Sequence, residues 1–167
     1  MRKYYEDKKY LKIVDDILDN KEFSKLGEVS HHGIDRLDHS IRVSYNSYKI
    51  SKFLGLDYKS AARAGLLHDF FFDDNLQLNK KERLKVLVKH PECAYLNSKK
   101  IFDISEKEKD IITTHMFPIG KKVPKYAESW LVDIVDDISS IYEKTKISYR
   151  YLSVALSYIL LVTLNNL

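Results

Sequence analysis

Cysteine is almost absent from this chain, which has only Cys93 among its 167 residues. A single cysteine excludes an intrachain disulfide and a cysteine-based zinc finger, and it suits a reducing cytoplasm. Glycine and proline are also scarce, with 5 and 3 residues, and this argues against a turn-rich all-β fold. The N-terminal residues are charged and lack the apolar core of a signal peptide. We therefore expect a cytoplasmic protein made of helices.

An excess of charge of one sign is also missing. Lysine and arginine total 28 and the acidic residues total 24, which gives a net charge of +4. A net charge of this size is compatible with an anionic substrate, but it is too small to indicate the clustered basic face of a nucleic-acid-binding protein. Hydrophobic residues make up 44% of the chain, which excludes overall disorder. The length predicts one domain over residues 1–167.

The only long uncharged segment is residues 151–167. Its length is at the lower edge for a membrane span, and several polar residues weaken that interpretation. Basic residues do precede it, as they precede many membrane spans. We interpret residues 148–165 as an apolar C-terminal helix that packs in the core or forms a homodimer, with a membrane anchor as the alternative.

Apolar residues at helical spacing predict an all-α fold of seven to nine helices. Gly55 is a helix stop, Asp57 caps the next helix, and Ser105 with Glu108 has the spacing of a capping box. Pro91 is expected in the first turn of a helix. The main predicted helices are 8–19, 37–54, 58–71, 91–102, 105–115, 126–143 and 148–165, with a basic helix or turn at 80–89.

The histidines are the residues that best indicate a chemical function. Six are present, and His68 is followed by Asp69 in the phrase GLLHDFF, which we place on a buried helix. A buried ionised aspartate must be paired or must bind a metal, because an isolated buried charge is very costly. Histidine and carboxylate together suit Fe, Mn, Co, Ni or Zn. The alternatives are an Asp69 paired with an arginine and histidines that are merely hydrogen-bonded.

The phrases RLDHSIRV and AGLLHDFF, followed by VDD on a later apolar helix, resemble the HD-domain superfamily of metal-dependent phosphohydrolases. That family carries the pattern H…HD…D on different helices of an all-α bundle. The matching residues are His39, His68, Asp69 and Asp136, and His68 follows His39 by 29 positions. The resemblance extends over about residues 30–143.

Two further phrases resemble the two-metal members of that superfamily: HPECAYLN, which begins at His90, and IITTHM, which contains His115. The resemblance implies that His39, His68, Asp69 and Asp136 hold one ion, that Asp69 bridges, and that His90 and His115 complete a second site. A one-metal site is the alternative. Asp137 stands where the family usually has lysine, and we interpret Asp133 as a solvated or lysine-paired carboxylate.

Other residues are candidates for substrate contact. His32 is a candidate for supporting the ligands or gating the substrate, or else it caps a turn. Arg36 is a candidate for binding phosphate or for pairing with Asp35. Three lysines on the loop after His115 are candidates for steering an anionic substrate, and the first two are weak candidates for the general acid. They are Lys121, Lys122 and Lys125.

The implied activity is hydrolysis of a phosphoester or phosphoanhydride by metal-activated hydroxide. The implied substrate is a nucleotide or another small phosphorylated metabolite, with no nucleic-acid or membrane partner. The glycine-rich phosphate motifs G-x-x-x-x-G-K-[ST] and G-x-G-x-x-G do not occur. The alternatives are a di-iron oxygenase on the same fold and a sensor that binds nucleotide and metal without hydrolysis.

Overall fold

Seven α-helices form the part of the chain that the computed structural model describes, residues 3–28, 30–31, 34–72 and 79–164. The all-α prediction is confirmed. A ladder of two-residue strands, β1 (Ser30–His31) and β2 (Ile34–Asp35), and two short 3₁₀ turns, Lys3–Glu6 and Lys25–Glu28, accompany the helices. The helices are α1 (Lys8–Leu18), α2 (Lys21–Ser24), α3 (Arg36–Phe53), α4 (Tyr58–Leu67), α5 (Lys80–Ile101), α6 (Glu106–Thr114) and α7 (Ala127–Leu164).

Local signals account for several helix ends. The side chain of Asp57 accepts the backbone N–H of Ser60 at the start of α4, as predicted. Ser105 and Glu108 form the predicted capping box of α6. Gly55 follows α3 with a φ of 70°, a left-handed conformation that glycine adopts without strain. Local interactions therefore determine where these helices begin and end.

The close approach of α3 and α4 places the first half of the site. A Cβ atom added at Gly65 would lie only 3.2 Å from the Cα atom of Ser44. The Ser44 hydroxyl donates to the carbonyl of Ala62 at 2.6 Å and accepts from the Tyr10 hydroxyl at 2.8 Å. Small residues thus let two backbones pack closely, and α4 lies in the middle of the core with its C-terminal end beside α3.

The predicted helix over residues 58–71 is shorter in the structure. Helix α4 ends at Leu67, His68 is its C-cap, and the following residues leave the helix. The placement of Asp69 on a buried helix was therefore wrong. Because α4 stops here, the Asp69 carboxylate lies beyond the helix end, where it is 21% exposed.

Two predicted helix breaks are also wrong. Pro91 lies inside the continuous helix α5 instead of starting a new one. The lysine-, glutamate- and leucine-rich residues before it are strong helix formers, so the helix extends N-terminal to the proline at the loss of one backbone hydrogen bond. Likewise, the helices predicted at 126–143 and 148–165 are a single helix, α7, because no glycine or proline lies between them.

Helix α7 has 38 residues and is therefore about 57 Å long. One row of its apolar side chains is exposed: Trp130, Ile134, Ile138 and Ile141. Its opposite face contributes the buried Val132, Val135 and Asp136. The predicted homodimer stays a prediction. Within the described residues, no helix has both the length and the apolar character needed to cross a membrane.

Candidate metal centre

Six imidazoles and carboxylates from different parts of the sequence meet at one end of the bundle. His39 comes from the second turn of α3, and His68 and Asp69 come from the end of α4. His90 lies in α5, His115 is the C-cap of α6, and Asp136 lies in α7. The four imidazoles are buried, whereas the Asp69 side chain is the most exposed of the six. Access from solvent is therefore on the Asp69 side.

The first group of donor atoms centres on Asp136. Its Oδ1 atom lies 2.8 Å from Nε2 of His39 and 3.6 Å from Nε2 of His68. The Oδ2 atom of Asp69 lies 3.8 Å from the same His68 nitrogen. Two imidazole nitrogens and two carboxylates thus converge on one point.

The second group uses the other oxygen of Asp69. Its Oδ1 atom lies 3.3 Å from Nε2 of His90 and 3.8 Å from Nε2 of His115. The two imidazole nitrogens are themselves 2.8 Å apart. Asp69 therefore has one oxygen in each group, which is the arrangement that a bridging carboxylate requires.

Helix ends set the tautomers of two histidines. Nδ1 of His68 donates to the carbonyl of Gly65, and Nδ1 of His115 donates to the carbonyl of Ile112, each at 2.8 Å. In the neutral form of both rings, which is the form that binds a metal, Nε2 is the unprotonated nitrogen and faces the cluster. Nε2 of His68 is fully buried and has no hydrogen-bond partner among the described residues. A buried lone pair without a donor fits a metal ligand, because otherwise its desolvation would be uncompensated.

His39 is held differently, between two carboxylates. Its Nε2 faces Asp136, and its Nδ1 faces Oε2 of Glu143 at 3.0 Å. The sequence interpretation missed Glu143. A signal for it exists, because Glu143 follows Asp136 by seven residues, which places both on one face of a helix. Glu143 is buried.

Burial and the charges within the cluster together shift the pKa values of its residues. Burial lowers the pKa of His39, but the hydrogen bonds to Asp136 and Glu143 outweigh this and raise it to about 10. Burial and the neighbouring His68 and His90 lower the pKa of His115 to about 3. Burial disfavours the charged forms of Asp69 and Asp136, yet the surrounding histidines hold both pKa values below the usual range. Both carboxylates are therefore ionised at neutral pH.

These donors fit a divalent metal centre. Three overlapping triplets of residues can each bind a metal ion, because the ligand atoms within a triplet all lie within 4.8 Å of one another. The triplets are His39, His68 and Asp69; His68, His115 and Asp136; and Asp69, His90 and His115. Imidazole and carboxylate ligands suit first-row divalent ions.

Arg36 lies behind the second group. Its guanidinium donates to the carbonyl of Phe71 and lies 4.0 Å from the centre of the Phe71 ring. That ring stacks on His90 at a centroid distance of 4.8 Å. The Asp35 carboxylate accepts the backbone N–H of Leu37 instead. Arg36 is buried, and its described contacts support His90 through Phe71.

The three lysines of the loop after His115 do not take part in the buried cluster. Lys121, Lys122 and Lys125 are exposed. The Lys122 ammonium lies 2.7 Å from Oε2 of Glu92, another exposed side chain. His32 lies outside the described residues, and the substrate roles of these residues stay predictions.

Asp133 requires a correction, because it is neither solvated nor paired with lysine. It is only 6% exposed, and its Oδ1 atom has no hydrogen-bond partner among the described residues. Burial, together with the charges of Asp137 and Asp136, raises the pKa of Asp133 to about 7. Its position one turn before Asp136 turns it inward with that residue.

Comparisons with known proteins agree with the cluster. The family model described as HD domain matches residues 36–141, which include all six donors. Neither the curated proteins nor the solved structures yielded a match. The matched segment covers more than half of the sequence and brings its histidines and aspartates into one metal-binding arrangement. The chain belongs to the HD domain family.

Proposed function

We propose that this protein is a metal-dependent phosphohydrolase with a two-ion centre. Proteins with HD domains are mostly hydrolases, which supports hydrolysis as the reaction class. The substrate that we propose is a nucleotide or another small phosphorylated metabolite, and the compartment is the cytoplasm. The exposed, unpaired thiol of Cys93 suits a reducing compartment.

The observation that carries the proposal is the position of the Asp69 carboxylate between two sets of imidazoles. Its Oδ2 faces His68, and its Oδ1 faces His90 and His115. Two divalent ions bound there would activate water and neutralise charge on a phosphoryl group. The protein supplies fixed donors for this chemistry, because helix-end carbonyls hold His68 and His115 in one tautomer.

The described side chains also suggest how an anionic substrate reaches the site. Asp69 is the most exposed of the six donors, so we place the entrance beside it. The loop that follows His115 carries Lys121, Lys122 and Lys125 as exposed cations that would attract phosphate. Lys121 or Lys122 is our candidate for protonating the leaving group. For Lys122 this requires release from Glu92.

The test is metal content followed by phosphate release. Protein purified without chelator is analysed for Fe, Mn, Co, Ni and Zn per chain. It is then assayed with nucleotides, dinucleoside polyphosphates, cyclic dinucleotides and sugar phosphates in the presence of each ion. We expect turnover that falls at least 100-fold in Asp69→Ala and His68→Ala. Glu106→Gln, which removes an exposed carboxylate on α6, is the matched control.

Two outcomes would replace the proposal. Two irons per chain with oxygen consumption and no phosphate release would indicate a di-iron oxygenase. Tight nucleotide binding without turnover, with every ion tested, would indicate a sensor. Full activity in Asp69→Ala on any substrate found would contradict the metal-centred mechanism.

A further inference from the structure

We propose that Glu143 is the positioning residue that fixes the tautomer and orientation of His39 as a metal ligand. The inference rests on the proposed metal centre. Glu143 lies outside the segment that matches the HD domain model, which ends at residue 141. Its Oε2 lies 3.0 Å from Nδ1 of His39, on the side of the ring opposite to Asp136.

His39 needs an acceptor from outside its own helix. His68 and His115 are C-caps, and each uses a carbonyl three residues earlier that the ending helix leaves free. His39 lies in the second turn of α3, where the preceding carbonyls accept the backbone N–H groups of the continuing helix. A side chain must therefore hold its Nδ1–H, and Glu143 is the group in place.

Glu143 is itself held in position. Its Oε1 lies 3.1 Å from Nη1 of Arg42, which follows His39 by three residues on α3. Glu143 is 6% exposed, and such a burial of a carboxylate is tolerated when it is paired. The imidazole as a hydrogen-bond partner and the guanidinium as an ion-pair partner thus contact one carboxylate of α7 from one face of α3.

The two carboxylates of α7 act as a pair. Asp136 and Glu143 are seven residues apart, which is close to two helical turns, and they face the two nitrogens of the same ring. In this arrangement Asp136 would hold a metal together with Nε2, while Glu143 keeps the proton on Nδ1. A carboxylate behind a ligating imidazole makes the ring a stronger donor. Glu143 therefore supports only the ion that His39 binds.

The experiment is a zinc titration of metal-free protein against a chromophoric chelator, which yields two binding constants. Loss of such an outer carboxylate typically weakens a metal site 10- to 100-fold. We expect Glu143→Leu to weaken one of the two constants by that factor and to leave the other within twofold. Glu143→Gln keeps an acceptor oxygen but loses the charge, so we expect a smaller decrease. His90→Ala should affect the opposite constant.

Glu106→Gln is the matched control, because it removes the charge of one carboxylate at an exposed position away from the cluster. It should change neither constant more than twofold. Equal constants in wild type and both Glu143 variants would overturn the inference. If Glu143→Leu does not fold, as judged by circular dichroism, the isosteric Glu143→Gln decides alone: unchanged affinity contradicts the inference.

The outcome is separable from that of the proposed function. Zinc affinity that depends on Glu143, in a protein that hydrolyses no phosphate, would leave the positioning role intact and remove the phosphohydrolase. Phosphate hydrolysis by a protein whose zinc affinity does not depend on Glu143 would support the phosphohydrolase and overturn the positioning role.

Discussion

Oδ1 of Asp69 lies 3.3 Å from Nε2 of His90, while the other oxygen of the same carboxylate faces His68 at 3.8 Å. The Asp69 side chain therefore contacts both groups of imidazoles, which share no other residue. A loss at Asp69 should affect both groups, whereas a loss at His90 should affect only one.

Metal stoichiometry tests this difference. We expect Asp69→Ala to reduce bound metal from the two ions per chain of the proposed centre to none, under conditions in which His90→Ala keeps one. Elemental analysis after gel filtration measures both, and Glu106→Gln should keep two. One retained ion in Asp69→Ala would show that the carboxylate serves a single site.

Metal affinity should rise with pH at the ion that His39 holds. Hydrogen bonds to Asp136 and Glu143 raise the pKa of His39 to about 10, so the metal-free ring carries a proton on both nitrogens near neutrality. A metal at Nε2 must displace one proton. The apparent association constant should thus increase by up to tenfold per pH unit as long as the pH stays below that pKa. Zinc titrations between pH 6 and 8 check the slope.

Calorimetry in two buffers of different ionisation enthalpy counts the same proton. His115 provides the internal contrast, because its pKa is lowered to about 3 and its Nε2 has no proton for a metal to displace near neutrality. An affinity for both ions that is independent of pH would contradict the protonated state of His39.

The ligand set shows how far the sequence could predict the site. The motif phrases named six donors, and the structure brings all six into one cluster. The spacing of Glu143 from Asp136 could place both on one helix face, but the contact of Glu143 with His39 and the support of His90 by Arg36 and Phe71 could not be predicted, because no spacing rule connects residues 104 or 35 positions apart in the sequence. Such contacts depend on helix packing, which local patterns do not encode.

Helix ends were likewise predictable only where a local interaction determines them. Cap residues were predictable at Asp57 and Ser105, because capping is a local interaction. The end of α4 at Leu67 was not, because the apolar phrase GLLHDFF has helical composition throughout. The exposure of the apolar row of α7 could not be predicted either, because it depends on which neighbours pack against the helix.

Gly65 should be sensitive to a single added methyl group. A Cβ there would lie 3.2 Å from the Ser44 backbone, so α3 and α4 must move apart. Overpacking of this kind costs about 1–3 kcal/mol. The Gly65 carbonyl also holds Nδ1 of His68, so we expect Gly65→Ala to lower both the free energy of unfolding and zinc affinity. Urea unfolding and zinc titration measure the two effects.

Gly55→Ala is the matched substitution. The position has open space around it but a φ of 70°, so alanine should cost about 1–2 kcal/mol through backbone strain alone. Because Gly55 does not contact the cluster residues, zinc affinity should stay at the wild-type value. A decrease in zinc affinity in both variants would assign the effect to general destabilisation.

Asp133 should make the metal-free protein less stable as the pH rises. Burial and the charges of Asp137 and Asp136 raise its pKa to about 7, above its ordinary value of 3.8. Between these two values the folded state binds a proton that the unfolded state has released, so the stability contributed by the protonated form is lost as the pH rises toward 7. One such group changes the free energy of unfolding by at most about 1.4 kcal/mol per pH unit.

Replacing Asp133 with asparagine removes this group while keeping its size. We therefore expect the stability of Asp133→Asn relative to wild type to increase from pH 4.5 to pH 7.5, and to be constant above that. Urea unfolding in the presence of a chelator gives the comparison at each pH, with the chelator excluding the effect of bound cations on the carboxylate. Glu106→Gln, at an exposed position, should show no such trend. A relative stability that is flat across the range would mean that Asp133 ionises in the folded protein as it does in water.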